Sequence, residues 1–476
     1  MLYWFVRSHF IANAQNIGIR MKNKKICFIA MAILCFEMLL SCVSHPKTKG
    51  EVDANETPNI SDTHDNIGIP KEDKTNVETP RDGAATDINN EPNETVPVEP
   101  FLLGIERIDE YAHLFSGKRV GLITNATGID KAGRSSIDIL YEKVNLVALF
   151  SPEHGIRGSE TAGKTVSHSI DKKTGLPVYS LYGNTKRPTT DMLRKIDVLC
   201  FDIQDVGARF YTYIWTLCYA MEACAENNVE VVVFDRPNPI GNTVEGAILQ
   251  LEYRSFVGYL PIAQRHGMTV GELAYMFQKE FKIHSKLTII SMQGYEPAKY
   301  FSEYPLMWIP TSPNIPHAET AIVYSGMCLF EGVNLSVGRG TTMPFEYIGA
   351  PYIDAEDFSE KLNALNLEGV FFYPAYFTPT DSLYKGVACN GIQVIVTDKN
   401  KFKSVKTAVQ MFALLKKDYP SHFKITDQGY KLASINLLSG TNWFTASDFS
   451  AEHTLERMEN DVARFEEQRK PYLLYE

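Results

Sequence analysis

Cys200-Phe-Asp-Ile-Gln-Asp-Val-Gly-Ala-Arg-Phe-Tyr-Thr-Tyr213 is the stretch whose reading decides the fold. The apolar run Val198-Leu199-Cys200-Phe201 reads as a fully buried strand, and Asp202, Gln204 and Asp205 sit where it stops. After Val206-Gly207 the pattern changes to a helical period, with Phe210, Tyr213, Ile214, Leu217 and Met221 on one face. A strand, an acidic turn and a helix from about Ala208 to Glu226 are therefore predicted. In an open α/β sheet, ligands bind beyond the carboxyl ends of the strands, which makes these acidic residues site candidates. A helix cap or a structural ion pair with Arg209 is the competing reading, because ion-pair networks gather charges too.

The same unit repeats on either side. Val120-Gly-Leu-Ile123 is a short strand ending at Thr124-Asn125, followed by a helix over Ser135 to Lys143. Asn145 to Phe150 is the next strand and runs into Ser151-Pro-Glu-His-Gly155, where Pro152 halts the ladder and Gly155 permits a reversal. Val229 to Phe234 ends in Asp235-Arg-Pro-Asn-Pro239. Alternating strands and helices predict a parallel, Rossmann-like sheet. Its strand ends lie on one edge, so Asn125, Glu153, His154, Asp202, Gln204, Asp205, Asp235 and Arg236 are expected to converge.

A second, smaller α/β or α+β layer is expected from about residue 246. Thr269-Val-Gly-Glu272 is a capping box opening a helix through Phe281, so Glu272 reads as a cap rather than a catalyst. Arg265-His-Gly267 occupies a loop, and Trp308 to Pro316 is too proline-dense for regular structure. Strands at Val370–Phe377 and Ile392–Val396 precede amphipathic helices at Phe402–Lys417 and Leu455–Gln468.

The 476 residues carry a formal charge of −10, which disfavours a nucleic-acid binder because phosphate contacts need clustered Lys and Arg. Lys22, Lys24 and Lys25 precede an apolar run from Ile26 to Leu40, the layout of an export signal. Leu39-Leu-Ser-Cys42 at its end matches a bacterial lipobox, in which the cysteine is lipidated; each buried methylene adds about 0.8 kcal/mol of membrane affinity. Met21 is an alternative start. Residues 43–99 are polar and proline-containing and read as a disordered tether. The expected organisation is thus a lipoprotein signal region at 1–42, a tether at 43–99, a Rossmann-like catalytic domain at 100–245 and a C-terminal domain at 246–476. An exported, membrane-anchored envelope lipoprotein follows. Beyond Cys42 remain Cys200, Cys218, Cys224, Cys328 and Cys389, without metal-ligand spacing and read mostly as small buried hydrophobes.

No G-x-G-x-x-G follows the first strand, and no Walker loop or H-E-x-x-H occurs. Neither a cofactor nor a metal is expected. Carboxylates on a cleft rim beside aromatics suit glycoside hydrolysis, where one carboxyl protonates the leaving oxygen and a second group acts as base, nucleophile or charge stabiliser. Six segments are informative together: Ser151–Gly155, Phe201–Tyr213, Asp235–Pro239, Arg265–Gly267, Ser312–Asn314 and Gly338-Arg-Gly-Thr-Thr342. In this order they resemble the NamZ-type exo-β-N-acetylmuramidase family, from about Phe101 to the end of the chain.

The resemblance implies a Rossmann-like domain plus a smaller one, an active site in the cleft between them, and cofactor-free release of N-acetylmuramic acid from the non-reducing end of peptidoglycan fragments. Glu153 is the first choice for general acid, with His154 tuning it or binding substrate. Glu222 is a second carboxylate or a buried brace. Asp202 and Asp205 bind sugar hydroxyls or orient a water, with Gln204, Arg209 and Tyr211 beside them. Asn125, Asp235, Arg236, His266, Asn314 and Arg339 complete the expected binding set. The lactyl carboxylate of muramic acid invites a bidentate arginine, for which Arg339, Arg236 and Arg209 are candidates. A non-catalytic muropeptide-binding lipoprotein and a metal-dependent hydrolase of another envelope substrate are the alternatives.

Overall fold

The structure, a computed structural model, describes residues 100–476 apart from 154, 158–168, 184 and 428–430. The signal-like segment, Cys42, the tether and His154 lie outside the described residues. The fold is built on β1 (Val120–Thr124), β2 (Leu146–Ser151), β3 (Ser169–Ile170), β4 (Pro177–Ser180), β5 (Val198–Asp202) and β6 (Glu230–Phe234). A two-stranded antiparallel ribbon of β7 (Glu245–Ile248) and β8 (Ala263–Arg265) follows, then β9 (Lys286–Ile290). The large sheet has the order β3-β4-β2-β1-β5-β6-β9, parallel except for β3 at the edge. Without β3 this is the Rossmann arrangement, with strand order reversing between β1 and β5.

The apolar runs dictate that sheet because both of its faces are covered. Leu199 and Phe201 of β5 pack with Trp215, Leu217 and Met221 of helix Tyr213–Asn227. Val198 and Cys200, on the opposite face, pack with Ile137 and Leu140 of helix Ser136–Lys143. Ser135 caps that helix by accepting from the Ile137 N–H. All five cysteines in the described region are buried free thiols.

Two boundaries differ from the sequence expectation. The parallel layer does not stop at residue 245: Phe234 pairs with Ile290, so β9 and the helix Val270–Lys279 belong to it. A connection of this length was needed because parallel neighbours require a crossover. The helix expected from Ala208 starts at Tyr213. Ala208 bridges to Arg265, and the Arg209 N–H donates to the Gln264 carbonyl at 2.7 Å, which holds this segment against the ribbon. Gly207 allows the turn into it, with φ of 80° and no room for a Cβ, which would lie 2.4 Å from Asn238 Oδ1.

The second layer is a three-stranded antiparallel sheet of β10 (Tyr347–Ala350), β11 (Val370–Phe377) and β12 (Cys389–Val396), ordered β10-β12-β11. Helices Ser404–Asp418 and Ala451–Arg469 accompany it. Arg209 joins the two parts: its guanidinium donates to the carbonyls of Ala247, Ile262 and Leu438 at 2.7 to 3.0 Å. Burial without a carboxylate partner pushes its pKa down to about 9. The expected substrate contact at Arg209 is thereby corrected. The side chain is fully buried because three main-chain oxygens need its donors.

The capping box at Thr269 and Glu272 is present, and Glu272 Oε1 also accepts from the Leu474 N–H, fastening the chain end. Burial raises the Glu272 pKa to about 7. Its folded value exceeds the unfolded one of about 4.3, so its contribution to stability falls as pH rises between them. Glu272→Gln keeps the cap. It is expected to gain up to about 3 kcal/mol relative to the parent chain between pH 4.5 and pH 7.5, read by urea unfolding at both values.

Candidate active site

Parallel strands deliver Asn125, Glu153, Asp202 and Asp235 to one edge, but the structure divides them into an inner group and an outer one. The inner group closes the switch point. Arg236 Nε and Nη2 reach Asp202 Oδ1 and Oδ2 at 2.6 and 2.8 Å, and Nη2 also donates to the Ile129 carbonyl. Arg236 is 4% exposed and Asp202 not at all. Thr124 Oγ1 donates to the Asp202 carbonyl, and Thr127 Oγ1 accepts from the Gln204 N–H. Gln204 donates its amide to the carbonyls of Asp205 and Pro237. What is left of the crevice, beside Thr127, Gln204 and Arg236, measures about 20 Å³, room for a water and not for a sugar.

Asp235 is engaged as completely. Its two oxygens accept from Thr269 Oγ1, the Tyr475 hydroxyl and the N–H groups of Gly271 and Arg236. Burial raises its pKa against those four donors. Three expectations are therefore corrected: Asp202 is not a catalytic carboxylate, and neither Asp235 nor Arg236 faces a substrate. Each is buried in a saturated set of partners that ties strand ends together.

Asp205 and His266 are buried beside that floor yet incompletely bonded. Asp205 Oδ2 accepts from the Gly207 N–H, while Oδ1 has no partner. His266 Nδ1 accepts from the Met268 N–H, which places the ring proton on Nε2, 3.8 Å from Asp205 Oδ2. That separation is too long for a hydrogen bond. Tyr211 lies within electrostatic reach of Asp205.

The outer group centres on Glu153 and mixes half-buried with buried side chains. Glu153 is half-buried after the Pro152 break. Close by is Tyr213, whose hydroxyl donates to the Thr311 carbonyl at 2.7 Å, and whose phenol is pushed up by burial with Tyr211, Glu153 and Asn125 in reach. Asn125 Oδ1 itself accepts from the N–H and Oγ1 of Thr127. The Tyr211 hydroxyl donates to Thr311 Oγ1, and its ring stands edge-on to Tyr213 and Tyr324, 5.0 and 5.8 Å between centroids. Tyr324 belongs to helix Ala318–Met327, so the second half of the chain supplies this wall. It also supplies half-buried Asn314 and Arg339. The Arg339 Nε donates to Glu331 at 2.5 Å and its guanidinium covers the Phe345 ring. Burial lowers the Arg339 pKa, but Glu331 outweighs it and holds the side chain firmly charged.

Glu222 lines an open cleft of about 680 Å³ with Gly183, Lys186, Arg187, Tyr219 and Tyr259. It is half-buried and accepts from the Tyr259 hydroxyl at 2.9 Å. Rings crowd this cleft: Tyr219 meets Tyr259 and Phe256, with centroids 4.6 and 6.2 Å away. The dibasic loop after β4 lies between the two glutamates, because Glu153 acts on Lys186 and Glu222 on Arg187. These basic and aromatic residues were missed in the sequence. Lys186-Arg187 after the β4 strand end was the available signal, since β4 opens onto the same edge as the four strands read for chemistry. Among the described residues no group of three or more His, Cys, Asp or Glu could hold a metal ion.

A Rossmann-ordered sheet whose switch point is filled by hydrogen bonds, with a half-buried carboxylate at a strand end and a second one in an aromatic-lined cleft, describes a two-part α/β protein with the groups that acid–base hydrolysis uses. Residues 120–319 match the model of exo-β-N-acetylmuramidase NamZ, N-terminal, and residues 322–475 that of its C-terminal domain. The chain belongs to the NamZ exo-β-N-acetylmuramidase family. It is 46% identical over 390 residues to peptidoglycan β-N-acetylmuramidase NamZ of Bacillus subtilis (strain 168), covering 80% of this chain and 93% of that protein. Two crystal structures of DUF1343 family proteins from Bacteroides fragilis are similar in fold. One has a TM-score of 0.74 at 38% identity and the other 0.62 at 33%, each covering 79% of this chain and 99% of its own.

Asp202→Asn is expected to cost about 3–5 kcal/mol in denaturant unfolding by leaving the Arg236 cation buried and unpaired. Asp202→Leu combined with Arg236→Met is expected to recover much of that loss.

Proposed function

We propose that this protein is a glycoside hydrolase that removes N-acetylmuramic acid from the non-reducing end of peptidoglycan fragments, with Glu153 as general acid. The observation that carries the assignment is the position of Glu153. It is half-buried at the rim, within reach of Tyr213 and Lys186, while the carboxylates behind it are locked in structural bonds. Family membership supports the substrate class.

In this reading the terminal sugar enters the cleft beside Tyr219 and Tyr259, whose rings suit the apolar faces of a pyranose. Glu153 delivers a proton to the glycosidic oxygen as the bond to the anomeric carbon breaks. Positive charge then develops on the ring, and the second carboxylate stabilises it or activates the incoming water. Glu222, across the loop that carries Lys186 and Arg187, takes that part, with Tyr259 orienting it. Half-buried Tyr211 and Asn314 are the groups offered to the sugar's hydroxyl and acetamido groups, with buried Tyr213 packed behind Tyr211. The Asp205–His266 pair supports Tyr211 from below. We further propose that Cys42 is lipidated and that the tether lets the enzyme work near the membrane, a reading supported by the lipobox and by the composition of residues 43–99.

Glu153→Gln is expected to lower kcat on a muramic-acid-terminated disaccharide about 10²–10⁴-fold with little change in sugar affinity, followed by product mass analysis and calorimetry. Near-normal release by this variant would rule the role out, and no release by the parent chain at any pH would favour a binding protein. Intact-mass analysis of the mature protein is expected to place acyl chains on Cys42; an unmodified residue there removes the anchor.

A further inference from the structure

The sequence pointed to an arginine for the lactyl carboxylate, and the structure leaves little of that idea. Arg209 is bound to three carbonyls, Arg236 to Asp202, and Arg339 to Glu331. In the cleft itself, Arg187 pairs with Glu226 at 2.6 Å and exposed Arg254 covers the outer ring of Tyr259.

Lys186 shares with Arg254 a seat over an aromatic ring and the lack of an ion pair among the described residues, but unlike exposed Arg254 it is half-buried and lines the cleft. It is half-buried, and no carboxylate among the described residues lies within ion-pairing distance of it. Its ammonium sits 4.0 Å from the centroid of the Phe256 ring, which pins it over the cleft by cation–π attraction. Burial lowers its pKa and Glu153 counteracts this, so the cation stands in the field of the proposed acid. A partly desolvated cation that feels Glu153 at a distance but has no carboxylate in ion-pairing contact among the described residues, and that lines a polar cleft, is set up for an anion that arrives with the ligand.

We propose that Lys186 is the specificity-determining cation of this site, binding the carboxylate of the 3-O-lactyl group so that muramyl ends are chosen over glucosaminyl ends. The inference rests on the glycosidase reading above and adds the recognition of its substrate. N-acetylmuramic acid is N-acetylglucosamine with its 3-hydroxyl converted to the lactyl ether, so the two differ only at that position. Discrimination must therefore act on the carboxylate or on the space its ether occupies. A charge-assisted bond lost from one substrate and never made to the other accounts for a large difference in rate. Held by Lys186, the lactyl arm also fixes the sugar's rotation, which directs the glycosidic oxygen toward Glu153.

The test uses the full chain and two chromogenic β-N-acetylmuramides, one with the free lactyl carboxylate and one with its methyl ester. Lys186→Met is expected to reduce the acid-to-ester ratio of kcat/KM roughly 10²-fold, and Lys186→Arg to restore much of it. An unchanged ratio, including an equal fall on both substrates, would overturn the proposal and leave Lys186 as a tuner of Glu153. Binding separates this from the glycosidase reading. If the parent chain hydrolyses neither muramide, calorimetry with free N-acetylmuramic acid and N-acetylglucosamine decides. A preference for the acid sugar that Lys186→Met abolishes sustains the recognition role, and equal affinities refute it. Thermal unfolding of both variants checks that the fold is intact.

Discussion

The buried bond between Arg236 and Asp202 is the constraint on which the rest of the site depends. It crosses from the end of β6 to the end of β5, at 2.6 and 2.8 Å, where an open α/β sheet usually offers its ligand crevice. With both charges out of water, each must keep the other, since an unpaired partner in that interior is strongly disfavoured. The result is a closed floor. Dinucleotide binders of the same strand order keep that crevice open behind a glycine-rich turn. Here Thr124, Thr127 and Gln204 fill it with hydrogen bonds, while Glu153 is half-buried and Glu222 lines an open cleft.

The same logic of satisfied polar groups binds the two halves together. Arg209 answers three carbonyls, one of them contributed by Leu438 from far along the chain. Tyr211 meets Thr311 through its hydroxyl and Tyr324 through its ring, so the second half of the chain packs directly on the segment that follows β5. Such contacts hold the two halves in register, because packed aromatic rings cannot shift without opening voids. The satisfaction is not complete: Arg209 Nε, Asp205 Oδ1 and His266 Nε2 are among the buried atoms without a hydrogen-bond partner.

Much of the fold was legible in the residues. Apolar runs of strand length, each followed by polar residues and a helical period, predicted the parallel layer, and Ser135 and Thr269 marked helix starts that the structure retains. The boundary at residue 245 and the helix start at Ala208 were not legible, for one reason. Both are set by pairing between distant segments, β9 with β6 and Arg209 with the β8 ribbon, and pairing leaves no local trace. Within the site, Glu153 was legible because a proline stops its strand and leaves it at the rim. The setting of Lys186 was not, because the Phe256 ring that its ammonium covers lies 70 residues away in the chain.

By itself the sequence determined which residues reach the strand ends, since burial of an apolar run leaves only its polar termini at the sheet edge. It also carried the family motifs, which are contiguous and survive in one dimension. Only the tertiary structure decided which of those polar residues are free. Asp202 finds Arg236 34 residues away and Asp235 finds Tyr475 240 residues away. A carboxylate's role is set by the donors around it, and in this protein those donors come from elsewhere in the chain.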